Sequence, residues 1–540
     1  MTENRALAWS CPDSLPDEKQ TGGSIEMLRS LRLPIFVTGR GEAMGNTPDC
    51  CGLFGTGKPS AEAIPLTGYA PPCRLENLGS PSFCAELGLR YPYIGGSMAK
   101  GISSVALAVE LGKAGMLGFF GAAGLPLATV EAAIEELNSK DIPFGCNLIH
   151  SPHEPELEKA LAELFIKKEV RLVEASAFLK LTLPLVRYRV HGIHRQADGT
   201  VVAPNRIIAK VSREELATRF FAPPPESFLR ELLASGDITA EQAELAAGIP
   251  MAQYITAEAD SGGHTDNRPA CTLFPTILSL ANRLQREHGY KSGLHVGLAG
   301  GISTPAAAAA AFTMGAAFIM VGSAHQACVE SGTSDEVRVM LAETRQADVT
   351  MAPAADMFEM GVDVQVLKRG TMFPMRAAKL YELYRAHNSI DEIPVAEREK
   401  LEKTVFRSSL EEVWKATHSY FLTRDPHQAR RGEQEPKHRM ALVFRWYLGQ
   451  AAHWAKDGEP TRKIDYQVWC GPAMGAFNEW AAGSFLEAPA NRTAVTVALN
   501  ILFGAAVLTR ANFLRCQGIP IPPEALRMEP LELAQIKEYL

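Results

Sequence analysis

HVGLAGGISTPAAAAAAFTMGAAFIMVGS, residues 295–323, joins two apolar, β-rich segments through an alanine-rich stretch of helical length. Two glycines follow the first segment, a Thr-Pro pair precedes the alanines, and Gly-Ser follows the second segment. Threonine and proline are typical of the first positions of a helix, and short β-rich runs bounded by glycine are typical of strands. Because strands joined by a helix pair in parallel, this stretch predicts a βαβ unit with glycine turns at one edge of its sheet.

Upstream of this unit, further short apolar segments alternate with amphipathic stretches of helical period. The predicted strands begin near Tyr91, Met116, Pro143, Val170, Arg206, Met251, His295 and Ala317. Eight such units fit either a closed (β/α)8 barrel or a doubly wound open sheet. Most segments end in a polar or glycine-rich cluster, on the side where a barrel gathers its active site, so the sequence predicts an α/β fold with a (β/α)8 TIM barrel.

The remainder of the 540-residue chain does not follow this repeat. Residues 1–85 are rich in Gly, Pro and Cys and are predicted to form an irregular N-terminal segment. The barrel is assigned to residues 86–335. Beyond it the pattern becomes helical and continues to Leu540, which predicts a C-terminal helical domain over residues 336–540, a lid or a docking domain.

Charge and cysteine usage exclude several functions. The formal net charge is -7, so there is no chain-wide electrostatic reason to expect binding to nucleic acid or to an anionic membrane. The ten cysteines are scattered without C-x-x-C spacing, so neither a metal site nor a disulfide framework is predicted. The chain opens without a secretory signal pattern, and the stretch Ala494 to Leu508 is too short to span a bilayer. A cytoplasmic protein with no membrane segment is expected.

Two glycine turns follow the predicted seventh and eighth strands. They are Gly300-Gly301, ahead of the alanine-rich helix, and Gly322-Ser323. Glycines let backbone N–H groups approach an anion, and a helix N-terminus adds a favourable partial charge. The loops after these two strands are where barrels commonly bind phosphate. The turns therefore predict a phosphate site, although the glycines could instead serve only to make tight turns.

A polar loop, EADSGGHTD at residues 258–266, follows the predicted sixth strand. Its glycines can bring the backbone close to a flat ligand, and His264 can exchange a proton near neutral pH. A histidine in a loop is often structural. Its position after a barrel strand and beside glycines favours His264 as a catalytic acid or base.

Three other strand ends could contact an aromatic ring system. Gly96-Ser97-Met98 follows the first strand, Asn147 ends the third, and Lys210 ends the fifth. A polarizable Met suits a ring face, Asn can bond ring polar atoms, and Lys can stabilise negative charge on a reduced ring. Each could equally be ordinary packing. Burying the charge of Lys210 at an inward position would cost free energy without an anionic partner. Lys210 is therefore the most informative of these residues about the site.

These motifs together resemble those of the nitronate monooxygenase and FabK-type enoyl reductase superfamily, and more closely its PfaD branch. In the barrel region the resemblance is carried by GGSMAKGISS, GFFGAAGL, CNLIHSP, VEASAFLKLT, EADSGGHTDNRP, GLAGGISTP and GAAFIMVGSAHQACVESGTS. In the C-terminal half it is carried by MAPAADMFEMGVDVQVLKRGTMFPMRAAKLYELYR, MALVFRWYLG and DYQVWCGPAMGAFNEWAAGSFLE. The likeness covers about residues 80–520.

The resemblance implies an FMN-dependent, NADPH-using enoyl reductase. It would reduce the α,β double bond of enoyl thioesters on acyl carrier protein domains, in trans, in polyunsaturated fatty acid or polyketide biosynthesis. His264 would lie beside the flavin as proton donor or enolate stabiliser. The residues that correspond to the cofactor site are Gly96, Ser97, Met98, Asn147 and Lys210 at the ring, Ser261, Gly262 and Gly263 at its edge, and Gly300, Gly301, Gly322 and Ser323 at the phosphate. Ala324-His325 departs from the expected apolar-Asn pair.

Two other functions stay open at this point. One is a nitronate monooxygenase-like flavin oxidase, which would not consume a nicotinamide. The other is a non-catalytic assembly subunit of a synthase that keeps the barrel without the cofactor. A homodimer is compatible with the sequence. The run of charges at residues 424–439 offers a basic face for an acidic carrier protein, or is a solvated loop before a core helix.

Overall fold

A closed parallel barrel forms the centre of the protein. The computed structural model describes residues 9–10, 24–38, 44–45, 52–53, 64–152 and 154–540. Within these residues the barrel strands are β1 Tyr93–Gly95, β2 Leu117–Phe120, β3 Phe144–Ile149, β4 Leu172–Ser176, β5 Arg206–Val211, β6 Tyr254–Glu258, β7 His295–Ala299 and β8 Ile319–Val321. Each strand pairs with the next in chain order, and β8 pairs with β1. The predicted (β/α)8 barrel is confirmed.

The N-terminal end of the barrel is closed by the helix Pro81–Leu87. Ser80 caps this helix, accepting the N–H of Phe83 at 3.3 Å. Phe83 is fully buried and stacks on Phe318, with the ring centroids 4.4 Å apart. The carboxylate of Glu86 accepts the hydroxyl of Tyr254 at 2.7 Å. These contacts fill the barrel below its strands, so the polar loops gather at the opposite, C-terminal mouth.

Helices with buried apolar faces surround the barrel. In the strand connections, and directly after β8, the helices are Val105–Lys113, Leu127–Asn138, Pro155–Lys167, Leu183–Val190, Glu214–Phe221, Glu226–Ala234, Ala240–Ala246, Ala270–His288, Pro305–Thr313 and Ser323–Gln326. A small antiparallel pair, His194–Arg195 with Val201–Val202, precedes β5. The strands and helices that alternate along the sequence therefore form two layers, with the strands inside and the helices outside.

The C-terminal half is helical but also contains a β-hairpin that the sequence did not predict. Its strands, β9 Val349–Pro353 and β10 Asp363–Leu367, pair with each other, and β10 also pairs with Gly263–His264 at the barrel mouth. The helices here are Asp335–Ala342, Phe373–Ala386, Val395–Leu401, the π-helix Glu402–Phe406, Leu410–Arg424, Pro426–Gln434, Pro436–Asp457, Ala473–Ala481, Ala494–Cys516, Pro523–Leu526 and Leu533–Tyr539. The boundary at residue 335 stays a prediction.

Many of these C-terminal helices enclose a hydrophobic core separate from that of the barrel. Phe373, Phe406 and Phe444 are among its buried members. Beside it, the fully buried Asp465 accepts the hydroxyl of Tyr447 at 2.8 Å and forms ion pairs with neighbouring arginines. Because this core has its own buried ion pairs around Asp465, this part of the chain can present a fixed surface to the barrel mouth.

The long apolar helix Ala494–Cys516 extends beyond the stretch that the sequence analysis considered. Its 23 residues make it long and apolar enough, by length and composition, to cross a membrane, so the expectation that this segment is too short was wrong. It is nevertheless packed as a core helix, with 83% of its most apolar window buried inside the protein. A Cβ at Gly504 would lie 2.6 Å from Pro305, which shows how closely this helix approaches the barrel helix Pro305–Thr313.

The N-terminal segment is only partly described. Ile35–Thr38 and Ile64–Ala70 pair antiparallel in a small sheet, and the helix Ser24–Arg29 lies near them in sequence. Residues 1–85 are predicted to be irregular, and much of that segment lies outside the described residues. Arg510 of the long C-terminal helix donates to the carbonyl of Leu33 at 2.7 Å, which joins the two ends of the chain.

Candidate active site at the barrel mouth

A cavity of about 310 Å³ opens at the C-terminal mouth of the barrel. All thirteen residues predicted from the sequence line it. They are Gly96, Ser97, Met98, Asn147, Lys210, Ser261, Gly262, Gly263, His264, Gly300, Gly301, Gly322 and Ser323. They come from the ends of β1, β3, β5, β6, β7 and β8. The structure therefore brings together residues that are spread along more than two hundred positions of the chain.

The glycine turns after β7 and β8 leave backbone accessible from the cavity. A Cβ built on Gly301 or Gly322 would meet nothing within 4 Å, and Gly301 has a φ of +76°. Gly300 differs, because a Cβ there would lie 2.6 Å from the backbone of Ala259. Next to the turn, the buried hydroxyl of Ser303 has no hydrogen-bond partner among the described residues. Ser303 does not line the cavity, so the fit to an anionic group such as a phosphate rests on the open backbone of the glycine turns.

The two glycines after β6 serve different purposes. Gly263, with a φ of +81°, has nothing within 4 Å of an added Cβ and is open to the cavity. At Gly262 the Cβ would lie 2.9 Å from the backbone of Cys470, in the C-terminal half. Gly262 lines the cavity, but its lack of a side chain is required by the protein's own packing. The sequence motif predicts contact with a ligand for both glycines.

The loop after β1 is fixed by internal hydrogen bonds. The Ser97 N–H donates to Oε2 of Glu174 at 2.9 Å. The Ser103 hydroxyl donates to the carbonyl of Gly96 at 2.9 Å and accepts the Met98 N–H at 2.9 Å. Because three consecutive residues are held by side chains, the edge of the cavity that carries Met98 is rigid.

Lys210 has the anionic partners that its inward position required. Its Nζ lies 2.9 Å from Oε1 of Glu258 and 3.3 Å from Oε1 of Glu174. Burial opposes the charged form, but the two carboxylates outweigh it and raise the pKa of Lys210 above its ordinary value. Lys210 is therefore a fixed cation between two carboxylates in the cavity wall.

Asn147 is oriented by a backbone donor. It is buried, and its Oδ1 accepts the N–H of Ala123 at 3.1 Å. Since the carbonyl oxygen is engaged, the amide NH2 is the group that Asn147 can offer to the cavity.

His264 pairs with a carboxylate from the other half of the chain. Its Nε2 lies 3.2 Å from Oδ1 of Asp356, a contact that lacks the alignment of a hydrogen bond. Burial opposes the charged imidazole, but Asp356 and Glu258 outweigh burial and the nearby Lys210 and raise the pKa of His264. For Asp356, burial opposes the charged form, but His264 outweighs it and lowers the pKa of the carboxyl. The contact thus favours the imidazolium form of His264 and the ionised form of Asp356.

Further polar groups line the cavity that the sequence analysis did not single out. The most notable is Lys100, whose Nζ donates to the carbonyl of Gly449 at 3.0 Å and lies 5.8 Å from the ring centroid of Trp469. Burial lowers the pKa of Lys100 to about 8, an effect that Asp356 partly offsets. The only sequence signal for Lys100 was its place in the GGSMAKG motif. The residues that contact the Lys100 ammonium lie in the C-terminal half.

The Ala324-His325 departure has a structural explanation. His325 is fully buried, and its Nε2 lies 2.7 Å from the hydroxyl of Tyr93. Burial lowers the pKa of His325 to about 4, so the ring is neutral. His325 therefore belongs to the packing around β1.

Comparison with known proteins identifies the family of this barrel. The model of the nitronate monooxygenase family matches residues 82–408, more than half of the chain. The chain belongs to the nitronate monooxygenase family. A second model, the inserted helical domain of [acyl-carrier-protein] S-malonyltransferase, matches residues 387–466. The C-terminal half of this nitronate monooxygenase family member thus carries a helical unit that is also found in another class of protein.

Relatives of this family member include components of synthases. One of the subunits of the polyunsaturated fatty acid synthase of Thraustochytrium sp. is 50% identical over 453 residues, which are 82% of this chain and 30% of the relative. Polyketide biosynthesis protein PksE of Bacillus subtilis is 45% identical over 436 residues, which are 80% of this chain and 56% of PksE. The chain therefore spans about a third to just over half of the length of these relatives.

A solved structure of similar architecture covers most of this nitronate monooxygenase family member. The crystal structure of the enoyl reductase domain of MlnA, from the macrolactin biosynthesis cluster of Bacillus amyloliquefaciens, is 39% identical with a TM-score of 0.78. The match covers 81% of this chain and 99% of that domain. Together with the synthase components, it confirms the resemblance to the PfaD branch.

Proposed function

We propose that the protein is a cytoplasmic, FMN-dependent enoyl reductase that uses NADPH and acts in trans on enoyl thioesters held by acyl carrier proteins. The observation that carries the proposal is the cavity at the barrel mouth. It combines open glycine backbone at Gly301 and Gly322, the fixed cation Lys210, and His264 in contact with Asp356. Likeness to the MlnA enoyl reductase domain supports the reaction type.

The cavity residues fit a flavin mononucleotide. Gly301, Gly322 and Ser323 would hold the phosphate, because they line the cavity and the backbone at the two glycines is open. The Asn147 NH2 and the Lys210 ammonium would face polar atoms of the ring system. When bound, the flavin supplies transfer of a hydride from NADPH to the β carbon of the enoyl thioester.

The chain's own groups handle the proton and exclude water. His264 lies at the cavity wall beside Asp356, which favours its charged form, so its imidazolium can protonate the α carbon or stabilise the negative charge that develops on the thioester oxygen. The hairpin of β9 and β10 pairs with the loop that carries His264 and covers one side of the mouth. Reduced access of water strengthens the electrostatic effect of the charged groups in the cavity.

The partner is proposed from the relatives rather than from a charged surface. Carrier proteins of fatty acid and polyketide synthases are the expected partners, because one relative is named as a subunit of a polyunsaturated fatty acid synthase and another as a polyketide biosynthesis protein. The basic segment at residues 424–439 supports this only weakly. Arg424 pairs with Glu154 at 2.7 Å, and Arg431 pairs with Glu435 at 2.9 Å, so much of its charge is internally neutralised.

The test is a cofactor analysis followed by a nicotinamide assay. The purified protein should carry FMN or bind it when mixed with it, and should consume NADPH with a crotonyl thioester on a carrier protein. NADPH-independent oxidation of a nitronate would instead indicate an oxidase. A protein that stays free of FMN after mixing would indicate an assembly subunit, and would overturn the proposal.

A further inference from the structure

The two halves of the chain meet at His264. Gly263–His264 forms a short strand that pairs antiparallel with β10, with His264 opposite Val364. The connection between β9 and β10 carries Asp356, which reaches the imidazole from the opposite wall of the cavity. The barrel supplies the histidine, and the C-terminal half supplies its carboxylate.

The segment that carries Asp356 is anchored on the C-terminal helices. Nε of Arg445 donates to the carbonyl of Ala355 at 2.8 Å, directly next to Asp356. Arg445 also lies 3.3 Å from the carboxylate of Glu359, on the other side of the same connection. The Ala354 N–H donates to the carbonyl of Val362 at 2.9 Å. Asp356 is therefore positioned by helix Pro436–Asp457 and not by the barrel.

The charged groups around His264 come from several elements. Asp356 and Glu258 act on the imidazole as anions, and Lys210 acts as a cation. Asp356 acts on Lys100 from the loop after β1, and Arg445 acts as a cation on Asp356. Glu258 already pairs with Lys210 at 2.9 Å, so Asp356 is the carboxylate that directly contacts the ring.

Asp356 occupies the Nε2 side of the His264 ring. At 3.2 Å the carboxylate is close enough to favour the imidazolium, and Nε2 itself is buried and shielded from the cavity. The proton that His264 can give to a group in the cavity is therefore the one on Nδ1. This arrangement suits an acid that must be charged before the reaction and neutral after it.

We propose that Asp356 is a positioning residue that keeps His264 protonated through its contact with Nε2, while the proton on Nδ1 is the one given to the substrate. The inference rests on the proposed reductase function only for the identity of the proton acceptor. In the step, the N–H bond of His264 breaks, a C–H bond forms at the α carbon of the thioester, and the imidazole becomes neutral. Asp356 stays ionised throughout, and solvent returns the proton to His264.

The first test measures His264 directly and needs no turnover. In histidine-labelled full-length protein, NMR titration of the His264 ring should give a pKa above the ordinary value of about 6.5. Asp356→Asn should lower that pKa by about one unit or more, because the anion in contact with the ring is removed. Asp356→Glu keeps the negative charge, so the His264 pKa should stay close to that of the wild type. Asp363→Asn is the matched control, since Asp363 lies exposed on the same hairpin.

The second test is the pH profile of enoyl reduction. Activity that needs protonated His264 is lost as pH rises through its pKa, so Asp356→Asn should lose activity at lower pH than the wild type. A shift of one unit lowers the rate about tenfold on the alkaline side. FMN content should not change, because Asp356 is not assigned to the cofactor.

The results of these two tests distinguish the role of Asp356 from the proposed reductase function. A wild-type His264 pKa at or below the ordinary value, or one that Asp356→Asn leaves unchanged, overturns the role of Asp356, even if the protein is a reductase. If Asp356→Asn does not fold, the wild-type titration and Asp356→Glu still decide. A shifted His264 pKa in a protein that reduces no enoyl thioester would retain the pair and refute the proposed function.

Discussion

Replacing Lys210 by methionine should destabilise the barrel strongly at neutral pH. The substitution keeps a similar apolar volume and removes the cation between Glu174 and Glu258, which lie 3.3 and 2.9 Å from Nζ. Glu174 is completely buried, and the side chain of Lys210 is 15% exposed. Two carboxylates would then face each other in the barrel wall with no cation between them.

The magnitude follows from burial. Removing one partner of a buried ion pair costs about 3 to 5 kcal/mol, because the remaining charge is uncompensated. Without Lys210, burial raises the pKa of a glutamate in the folded state above its unfolded value of about 4.3. The loss of stability is therefore largest at neutral pH, shrinks as pH falls through the raised pKa, and disappears below about 4.3, where the carboxylates are protonated in both states.

The assay is urea unfolding followed by circular dichroism, at about pH 7 and about pH 5. Lys113→Met is the matched control: Lys113 pairs with Glu110 at 2.8 Å, but both side chains are exposed, so the expected change is below about 0.5 kcal/mol. If Lys210→Met costs no more than Lys113→Met, or if its loss is as large at the lower pH, the buried ion network is not what stabilises this wall.

Three further substitutions test the mouth of the barrel. Gly322→Ala adds a methyl group that meets nothing within 4 Å in the protein, so the melting temperature should not change, whereas FMN affinity measured by fluorescence titration should fall about tenfold or more. Gly262→Ala places a Cβ 2.9 Å from the backbone of Cys470 and should lower the free energy of unfolding by about 1 to 3 kcal/mol, measured by urea unfolding. His264→Gln should keep its FMN but lower the rate of NADPH-dependent reduction by about 10²- to 10⁴-fold, and a near-normal rate would exclude His264 as the proton donor.

Much of the candidate site could be predicted from local patterns in the sequence. The eight strands were visible because each is a short apolar run bounded by glycine or polar residues, and parallel strands place their carboxyl ends at one edge. From that rule, Asn147, Lys210, His264 and the turns at Gly301 and Gly322 are predicted to lie close together. In the structure they line one cavity. The expectation that Lys210 needs an anion followed from the cost of burying a charge, and Glu174 and Glu258 supply it.

Contacts between distant segments could not be predicted in the same way. Hydropathy alone gives no information on what covers the helix Ala494–Cys516, and packing on the barrel makes it a core helix. The requirement for glycine at position 262 comes from Cys470, and the charge of His264 depends on Asp356. None of these pairs shares a helix, a strand or a turn.

The sequence by itself determined the barrel, the edge at which its functional groups gather, and the types of those groups, because strand alternation and turn composition are local properties. Only the tertiary structure decided which carboxylate contacts His264 and which glycines stay open to a ligand. These depend on how the C-terminal half packs against the barrel mouth, and packing between distant segments leaves no periodic pattern in the chain.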